Sequence, residues 1–266
     1  TTSQNIIWAN DNYKEYDTAS YAATAQMLPE LVTGMRGKLI MPRALKAAVM
    51  KKERTKTKAE VFTPIWIVKK QNDIVDHDYQ SDDLETYTRR KWLEITCGEA
   101  PYMATRYDMD TGEVIPLCER VGFVDRKLKR ISRDVTDMAE WQRFVELAYK
   151  ASYGFEWNGD SLLLARENLL YTYRDYYFEK WGKPPFDDFF EDIAKIISYN
   201  VFQMDGLTFT IPLSEKRERI ETCKIALFEF DGFEKEEWMI IPGKRVKIMN
   251  WDTNEMEFFD REVKRA

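Results

Sequence analysis

Hydrophobic and polar residues follow two different periodicities along the chain. In the first 60 residues, the segments SYAATAQMLPELV and ALKAAVMKK place apolar residues three and four positions apart, which predicts helices. From residue 91 onwards, apolar runs such as WLEIT and VGFVD alternate with helical segments such as SLLLARENLLYTYRDYYFEKW, and IAKIISYNVFQMD follows. This alternation is typical of βα units around a mostly parallel sheet. We therefore expect an α/β fold, with a helical lead-in over residues 1–60 and a main domain over residues 61–266.

Two features refine this outline towards the end of the chain. The segment GKPPF interrupts the helical pattern, since Gly182 can end a helix and Pro184 cannot continue one. After Asp205, the segments ALFEF, EEWMIIP and RVKIMNW predict shorter strands or hairpin arms.

Composition excludes several classes of protein and site. The chain has 266 residues, of which 44% are hydrophobic, but no apolar run reaches the length of about 18 residues that a membrane span needs. The opening TTSQNIIWANDNYKEYD has no secretion-signal layout, so we expect a cytoplasmic protein without a membrane partner. Three isolated cysteines and one histidine, His77, argue against a disulfide framework, a metal site and a Ser/His/Asp triad.

Charge is distributed unevenly along the chain. The net charge of −6 argues against nonspecific nucleic-acid binding by the whole surface. The most basic stretch lies within residues 43–58, where Lys51, Lys52 and Arg54 are candidates for contacting DNA phosphates. The alternative is that these residues form a solvated helix face.

A tight turn of small residues follows the first apolar strand of the main domain. In WLEITCGEAPY, Cys97-Gly98-Glu99-Ala100 comes directly after WLEIT. In open α/β sheets, ligands bind at the carboxyl ends of the strands. Upstream, AEVFTPIWIVKKQND contains Phe62-Thr63-Pro64 before a helical pattern, which would also suit an ordinary helix start with Thr63 as N-cap and Pro64 as first helical residue.

These two segments, in this order, resemble motifs X and I of the amino-group, adenine-directed DNA methyltransferases. LEITCGEAPY, EVFTPIW and the ARENLL helix look like the methylating subunits of restriction-modification systems. In motif I, Glu94 matches the acidic position and Gly98 the first glycine, whereas Ala100 replaces the second glycine. The resemblance spans about residues 58–207. It implies a Rossmann-like class I fold that binds S-adenosylmethionine.

The resemblance also implies which residues surround the cofactor. Asp125, which ends the run VGFVD 27 residues after Gly98, is the best ribose-binding candidate because a carboxylate accepts two hydroxyl hydrogen bonds. Asp205, after NVFQM, is favoured over Asp160 for the adenine amino group, since Asp160 directly precedes a helix and suits an N-cap. The implied cofactor residues are Phe62, Thr63, Pro64, Glu94, Thr96, Cys97, Gly98, Ala100, Asp125 and Asp205.

The family's catalytic tetrapeptide, Asn or Asp followed by Pro-Pro and an aromatic residue, does not occur in the chain. Its acceptor groups orient the amine, and its aromatic ring stacks on the flipped base. Asn200 and Phe202 are weak catalytic candidates because no proline accompanies them, and Lys183-Pro184-Pro185-Phe186 is interpreted as a helix breaker. We therefore expect DNA as partner and a possible second subunit that supplies target recognition or the catalytic motif.

Two alternatives stay open at this point. Asp125-Arg126-Lys127, after an apolar run, resembles the acid-x-Lys half of a metal-dependent nuclease, with Asp110 or Glu119 as second carboxylate. The other alternative is a noncatalytic interaction protein that keeps the methyltransferase fold.

Overall fold

A parallel sheet of three strands forms the centre of the protein. The computed structural model describes residues 5–45, 63–219 and 238–260. The strands, in spatial order, are β1 (Trp92–Glu94), β2 (Ser152–Glu156) and β3 (Val201–Gln203). Leu93 pairs with Tyr153, and Phe155 pairs with Phe202. The expected α/β class with a parallel sheet is confirmed, and all three carboxyl ends meet at one edge.

Two helices connect each pair of neighbouring strands. The helices of the described residues are α1 (Pro29–Val32), α2 (Ile65–His77), α3 (Leu84–Arg89), α4 (Phe123–Asp134), α5 (Met138–Lys150), α6 (Gly159–Trp181) and α7 (Asp187–Asn200). Helices α4 and α5 lie between β1 and β2 along the chain, and α6 and α7 lie between β2 and β3. Short 3-10 turns occupy Gly34–Arg36, Arg43–Leu45 and Leu117–Glu119. Within the described ranges, no helix has the length and apolar character needed to cross a membrane.

The expectation of a strand at VGFVD is wrong, because α4 begins there. Phe123, Val124, Leu128 and Ile131 are all buried, which is the spacing of one helix face rather than of a strand. The Asp125 side chain accepts a hydrogen bond from the Gly122 backbone N–H, which supports the first turn of the helix. A short apolar run cannot distinguish the two structures by itself.

The N-terminal segment is mostly irregular, so the helical lead-in is wrong for residues 5–28. Ile7 forms an antiparallel bridge with Gln26, and the Trp8 N–H donates to the Ala25 carbonyl. Trp8, Tyr13 and Tyr21 pack together in a small cluster of their own. These tertiary contacts override the helical periodicity. Phe62, Lys51, Lys52 and Arg54 lie outside the described residues.

The long helix α6 ends as the sequence predicts. Gly182 has a φ of +65°, the left-handed conformation that glycine adopts most easily, and its N–H donates to the Phe178 carbonyl. Tyr173 and Tyr177 of α6 pack against Trp141 of α5 in the main core.

Two antiparallel pairs of strands follow the parallel sheet in the described part of the chain. They pair β4 (Lys216–Arg219) with β5 (Trp238–Ile241), and β6 (Lys247–Asn250) with β7 (Glu255–Phe258). The predicted strands in EEWMIIP and RVKIMNW are confirmed, whereas ALFEF lies outside the described residues. Phe259, after β7, packs on Phe155 and Phe202. Because side chains alternate along a strand, this second cluster lies on the sheet face opposite the one that Val201 presents to the main core.

Candidate functional site

The turn after β1 has an unusual backbone. Thr96, Gly98 and Ala100 all have positive φ, at 48°, 55° and 63°. Residues other than glycine rarely adopt this conformation, and a β-branched residue such as Thr96 does so least often. The strain at Thr96 and at Ala100 costs roughly 1 to 3 kcal/mol of stability each. The Cys97 N–H donates to the Phe155 carbonyl, and the Ala100 N–H donates to the Cys97 carbonyl. Strain of this kind concentrates at ligand sites, and here it lies at the carboxyl end of β1.

Glu156 joins this turn to the neighbouring strand. It is the last residue of β2, and its Oε2 accepts a hydrogen bond of 2.9 Å from the Gly98 N–H. Its Oε1 accepts bonds of 3.0 and 3.1 Å from the backbone and side chain of Asn158. The carboxylate therefore lies between the turn after β1 and the start of α6, although it is only 7% exposed. Sequence reasoning missed Glu156.

Space is open above Gly98. A Cβ built on Gly98 would have no heavy atom within 4 Å, whereas one on Gly154 would lie 2.2 Å from the methyl carbon of Met103. Glycine at position 98 thus combines positive φ with a backbone that another molecule can approach closely.

Glu94 holds the segment that follows the turn. Its two carboxyl oxygens accept hydrogen bonds from the Tyr102 N–H at 3.1 Å and the Met103 N–H at 2.9 Å. Burial raises the pKa of Glu94 to about 8. The buried Glu94 therefore fixes the backbone of residues 102–103 instead of presenting its carboxyl group to solvent.

The segments that resemble motifs X and I lie side by side. Asn72 of α2 donates to the Tyr102 carbonyl at 3.0 Å, and the Thr63 side chain lies near the Tyr102 hydroxyl. Pro64 is the N-cap of α2 rather than its first helical residue, and no side-chain cap is present.

Three other predicted residues of the turn differ in accessibility. Thr96 is exposed, and its hydroxyl donates to the Ile95 carbonyl. Ala100 is fully buried. Cys97 is also buried; burial, followed by the nearby Glu94 and Glu156 carboxylates, raises the pKa of its thiol. We conclude that Cys97 packs as a neutral thiol.

The structure gives Asp125 a different role from the expected ribose contact. Its side chain has no exposed surface, and its Oδ2 accepts from the Thr105 N–H at 2.9 Å and the Gly122 N–H at 3.2 Å. Burial raises the pKa of Asp125. The residue sits in the first turn of α4, where it connects this helix to the preceding loop, so its position does not support cofactor binding.

Asp205 lies at the expected edge of the sheet. It follows β3, is partly exposed, and accepts a hydrogen bond of 2.8 Å from the Leu207 N–H. The Met204 N–H donates to the Glu156 carbonyl, so the segment leading to Asp205 runs beside the end of β2.

Asp160 is not an N-cap, contrary to expectation. Asn158 occupies that position, and Asp160 lies within the first turn of α6. Its Oδ1 accepts from Asn10 and its Oδ2 from the Tyr13 hydroxyl. Together with the hydrogen bond from Trp157 Nε1 to the Ala9 carbonyl, these contacts hold the N-terminal segment over the end of β2.

Asn200 and Phe202 do not form a catalytic element. The Asn200 Nδ2 donates to the carbonyls of Tyr149 and Ser152 and its Oδ1 accepts from Trp251, so the amide group is fully engaged at the amino end of β3. Phe202 is 1% exposed and packs on Phe155. Neither side chain is free to meet a substrate at the carboxyl edge.

The acid-x-Lys arrangement also lacks the expected strand. Asp125 and Lys127 both lie in α4, and Lys127 is buried with its Nζ donating to the Arg90 carbonyl at 2.7 Å. Burial lowers the pKa of Lys127 to about 7. Among the described residues, no group of three or more Asp, Glu, His or Cys side chains is arranged to hold a metal ion.

Comparison of the chain with protein-family models, with curated proteins and with solved structures finds no significant match.

Proposed function

We propose that the chain binds S-adenosylmethionine at the carboxyl edge of its parallel sheet, as the cofactor-binding unit of an adenine-directed DNA methyltransferase. One observation carries the proposal: the Gly98 N–H and the Glu156 carboxylate meet across the ends of two neighbouring parallel strands. A glycine-containing turn after one strand and an acid after the next is the arrangement that binds the ribose of nucleoside cofactors in doubly wound sheets.

The residues at this edge fit such a molecule. The open space above Gly98 lets a ligand approach the backbone. Gly98 and Asn158 already donate three hydrogen bonds to the Glu156 carboxylate. A carboxylate has about four acceptor positions, so Oε2 can accept one further hydrogen bond from a ribose hydroxyl. Asp205, partly exposed at the end of β3, is an acceptor suited to the adenine amino group. Bound S-adenosylmethionine supplies an electrophilic methyl group, and its direct transfer to an amine needs no metal.

Transfer to DNA requires an element that orients the target amine. Asn200 and Phe202 make other contacts, and the chain has no tetrapeptide of Asn or Asp, two prolines and an aromatic residue. We therefore propose that a second subunit supplies this element and recognises the target. Holding the cofactor is then the task of this chain.

Calorimetric titration of the purified chain with S-adenosylmethionine tests the binding step. We expect saturable binding of one molecule per chain, and an absence of binding would overturn the proposal. Incubation with DNA and a tritiated methyl donor tests the transfer step, with and without chelator. Metal-independent labelling supports methyl transfer, and Mg²⁺-dependent cleavage supports the nuclease instead. If the chain binds the cofactor but the DNA is neither labelled nor cleaved, the result supports either a second subunit that supplies the catalytic motif or a noncatalytic interaction protein.

A further inference from the structure

A cavity away from Gly98 and Glu156 lies between the N-terminal segment, α6 and the end of β3, where Gln203 lines it. Its volume is about 550 Å³, which is within the usual range for small-molecule sites. The N-terminal segment contributes Ile6, Met27 and Val32 to its wall, and α6 contributes Leu163 and Arg166. Most of the lining side chains are apolar.

Arg166 brings a positive charge to this apolar wall. Its Nε donates to the Val201 carbonyl at 2.8 Å and one Nη to the Ser198 carbonyl at 3.3 Å. Burial lowers the pKa of its guanidinium to about 10, which still leaves it charged at neutral pH. Within the described ranges it forms no ion pair, so only the partial charges of two carbonyls compensate it.

Three of the four other polar side chains of the cavity have their donors engaged. The Gln203 amide donates to the carbonyls of Ile7 and Trp157, the Thr33 hydroxyl donates to the Pro29 carbonyl, and the Ser198 hydroxyl donates to the Lys195 carbonyl. Asn5 is exposed. The Arg166 guanidinium, with five N–H donors of which the described contacts use two, is therefore the main donor available to a ligand.

We propose that this cavity is a binding site for an amphipathic organic anion, whose apolar body lies against Ile6, Val32 and Leu163 and whose anionic head pairs with Arg166. A charged group in a largely apolar site is stabilised when a counter-charge accompanies it. Guanidinium is suited to this task because its planar N–H groups match carboxylate, sulfonate or phosphate oxygens. The site is separate from the proposed cofactor site, since neither Gly98 nor Glu156 lines it.

A pair of dyes that differ in charge provides the test. The probe 8-anilino-1-naphthalenesulfonate carries one sulfonate, and N-phenyl-1-naphthylamine has the same rings without it. We expect one sulfonate dye to bind per chain, about tenfold or more tightly than the neutral dye. One charge-assisted hydrogen bond between the sulfonate and Arg166 accounts for a difference of this size. Arg166→Met should remove this preference, and Arg143→Met, which changes a half-exposed arginine of α5, should not.

Equal affinity of the wild type for the two dyes, or an unchanged preference in Arg166→Met, would overturn the proposal. Leu163→Trp leaves Arg166 unchanged and adds a large ring at the cavity wall, so it provides a second test if Arg166→Met does not fold. It should abolish binding of the sulfonate dye, and undiminished binding would again overturn the proposal. Saturating S-adenosylmethionine should not displace the dye, so this test and that of the cofactor site can fail independently.

Discussion

The Gly98 N–H donates a 2.9 Å hydrogen bond to the Glu156 carboxylate, although 58 positions separate the two residues in the chain. The contact connects the strained turn after β1 to the end of β2. Glu156 is bonded in the same way to Asn158, the N-cap of α6. One carboxylate therefore fixes the turn, the strand end and the helix start that surround the proposed ribose position.

Gly98→Ala should weaken S-adenosylmethionine binding because the added methyl group enters the open space above the turn. Gly182→Ala is a matched control, since Gly182 also has positive φ with no atom near a built Cβ but lies at the end of α6. Each change should cost about 1 to 2 kcal/mol of unfolding free energy, because alanine disfavours positive φ. Calorimetry should show a loss of affinity of about tenfold for Gly98→Ala alone. An equal effect of both variants on affinity would count against the site.

Asp125→Ala should destabilise the fold. It should not change the affinity of the folded protein for the cofactor, because Asp125 does not contact the proposed site. The change leaves the buried N–H groups of Thr105 and Gly122 without their acceptor, at a cost of about 1 to 3 kcal/mol each. Urea denaturation measures the loss. Normal stability together with lost cofactor affinity would instead restore the ribose role predicted from sequence.

Lys127→Met should stabilise the protein most at low pH. The pKa of the buried Lys127 amine is about 7 in the folded state, and its ordinary value, which applies to the unfolded state, is 10.5. Between these two pH values the unfolded state therefore binds more protons than the folded state. Wild-type stability therefore rises with pH across this window, and the penalty for the charged amine is largest below pH 7. Replacement by methionine should add about 1 to 4 kcal/mol at pH 6.5 and much less at pH 10.

Lys183→Met, which changes an exposed lysine, is the control for Lys127→Met and should show no such pH dependence. Denaturation curves at the two pH values check both variants. A gain for Lys127→Met that is the same at both values would contradict the buried-amine explanation.

Local patterns predicted a substantial part of the fold. The strand before Cys97, the helix that ends at Gly182 and the strand before Asp205 all follow from apolar spacing and helix-terminating residues. By contrast, the conformation of residues 5–28 depends on contacts of Trp8 and Tyr13 with residues that are distant in sequence, which periodicity does not reveal.

The candidate acid was missed for a specific reason. A ribose-binding acid is expected about 20 residues after the glycine turn when one helix separates the strands. Here α4 and α5 both intervene, so the second strand ends 58 residues after Gly98. The acid directly before α6 in YGFEWNGD was the available signal. The sequence pattern indicates Asp125 instead, because the apolar run VGFVD resembles a buried strand that ends in an acid.

Calorimetric titration of Glu156→Gln with S-adenosylmethionine tests the central claim most directly. The amide keeps the size of the side chain but removes its charge, which should cost about 1.5 to 3 kcal/mol for a charge-assisted hydrogen bond, or about 10- to 150-fold in affinity. Glu167→Gln, on the exposed surface of α6, should bind as the wild type does. If Glu156→Gln folds, as judged by circular dichroism, and binds with wild-type affinity, Glu156 does not hold the cofactor and the proposed site is wrong.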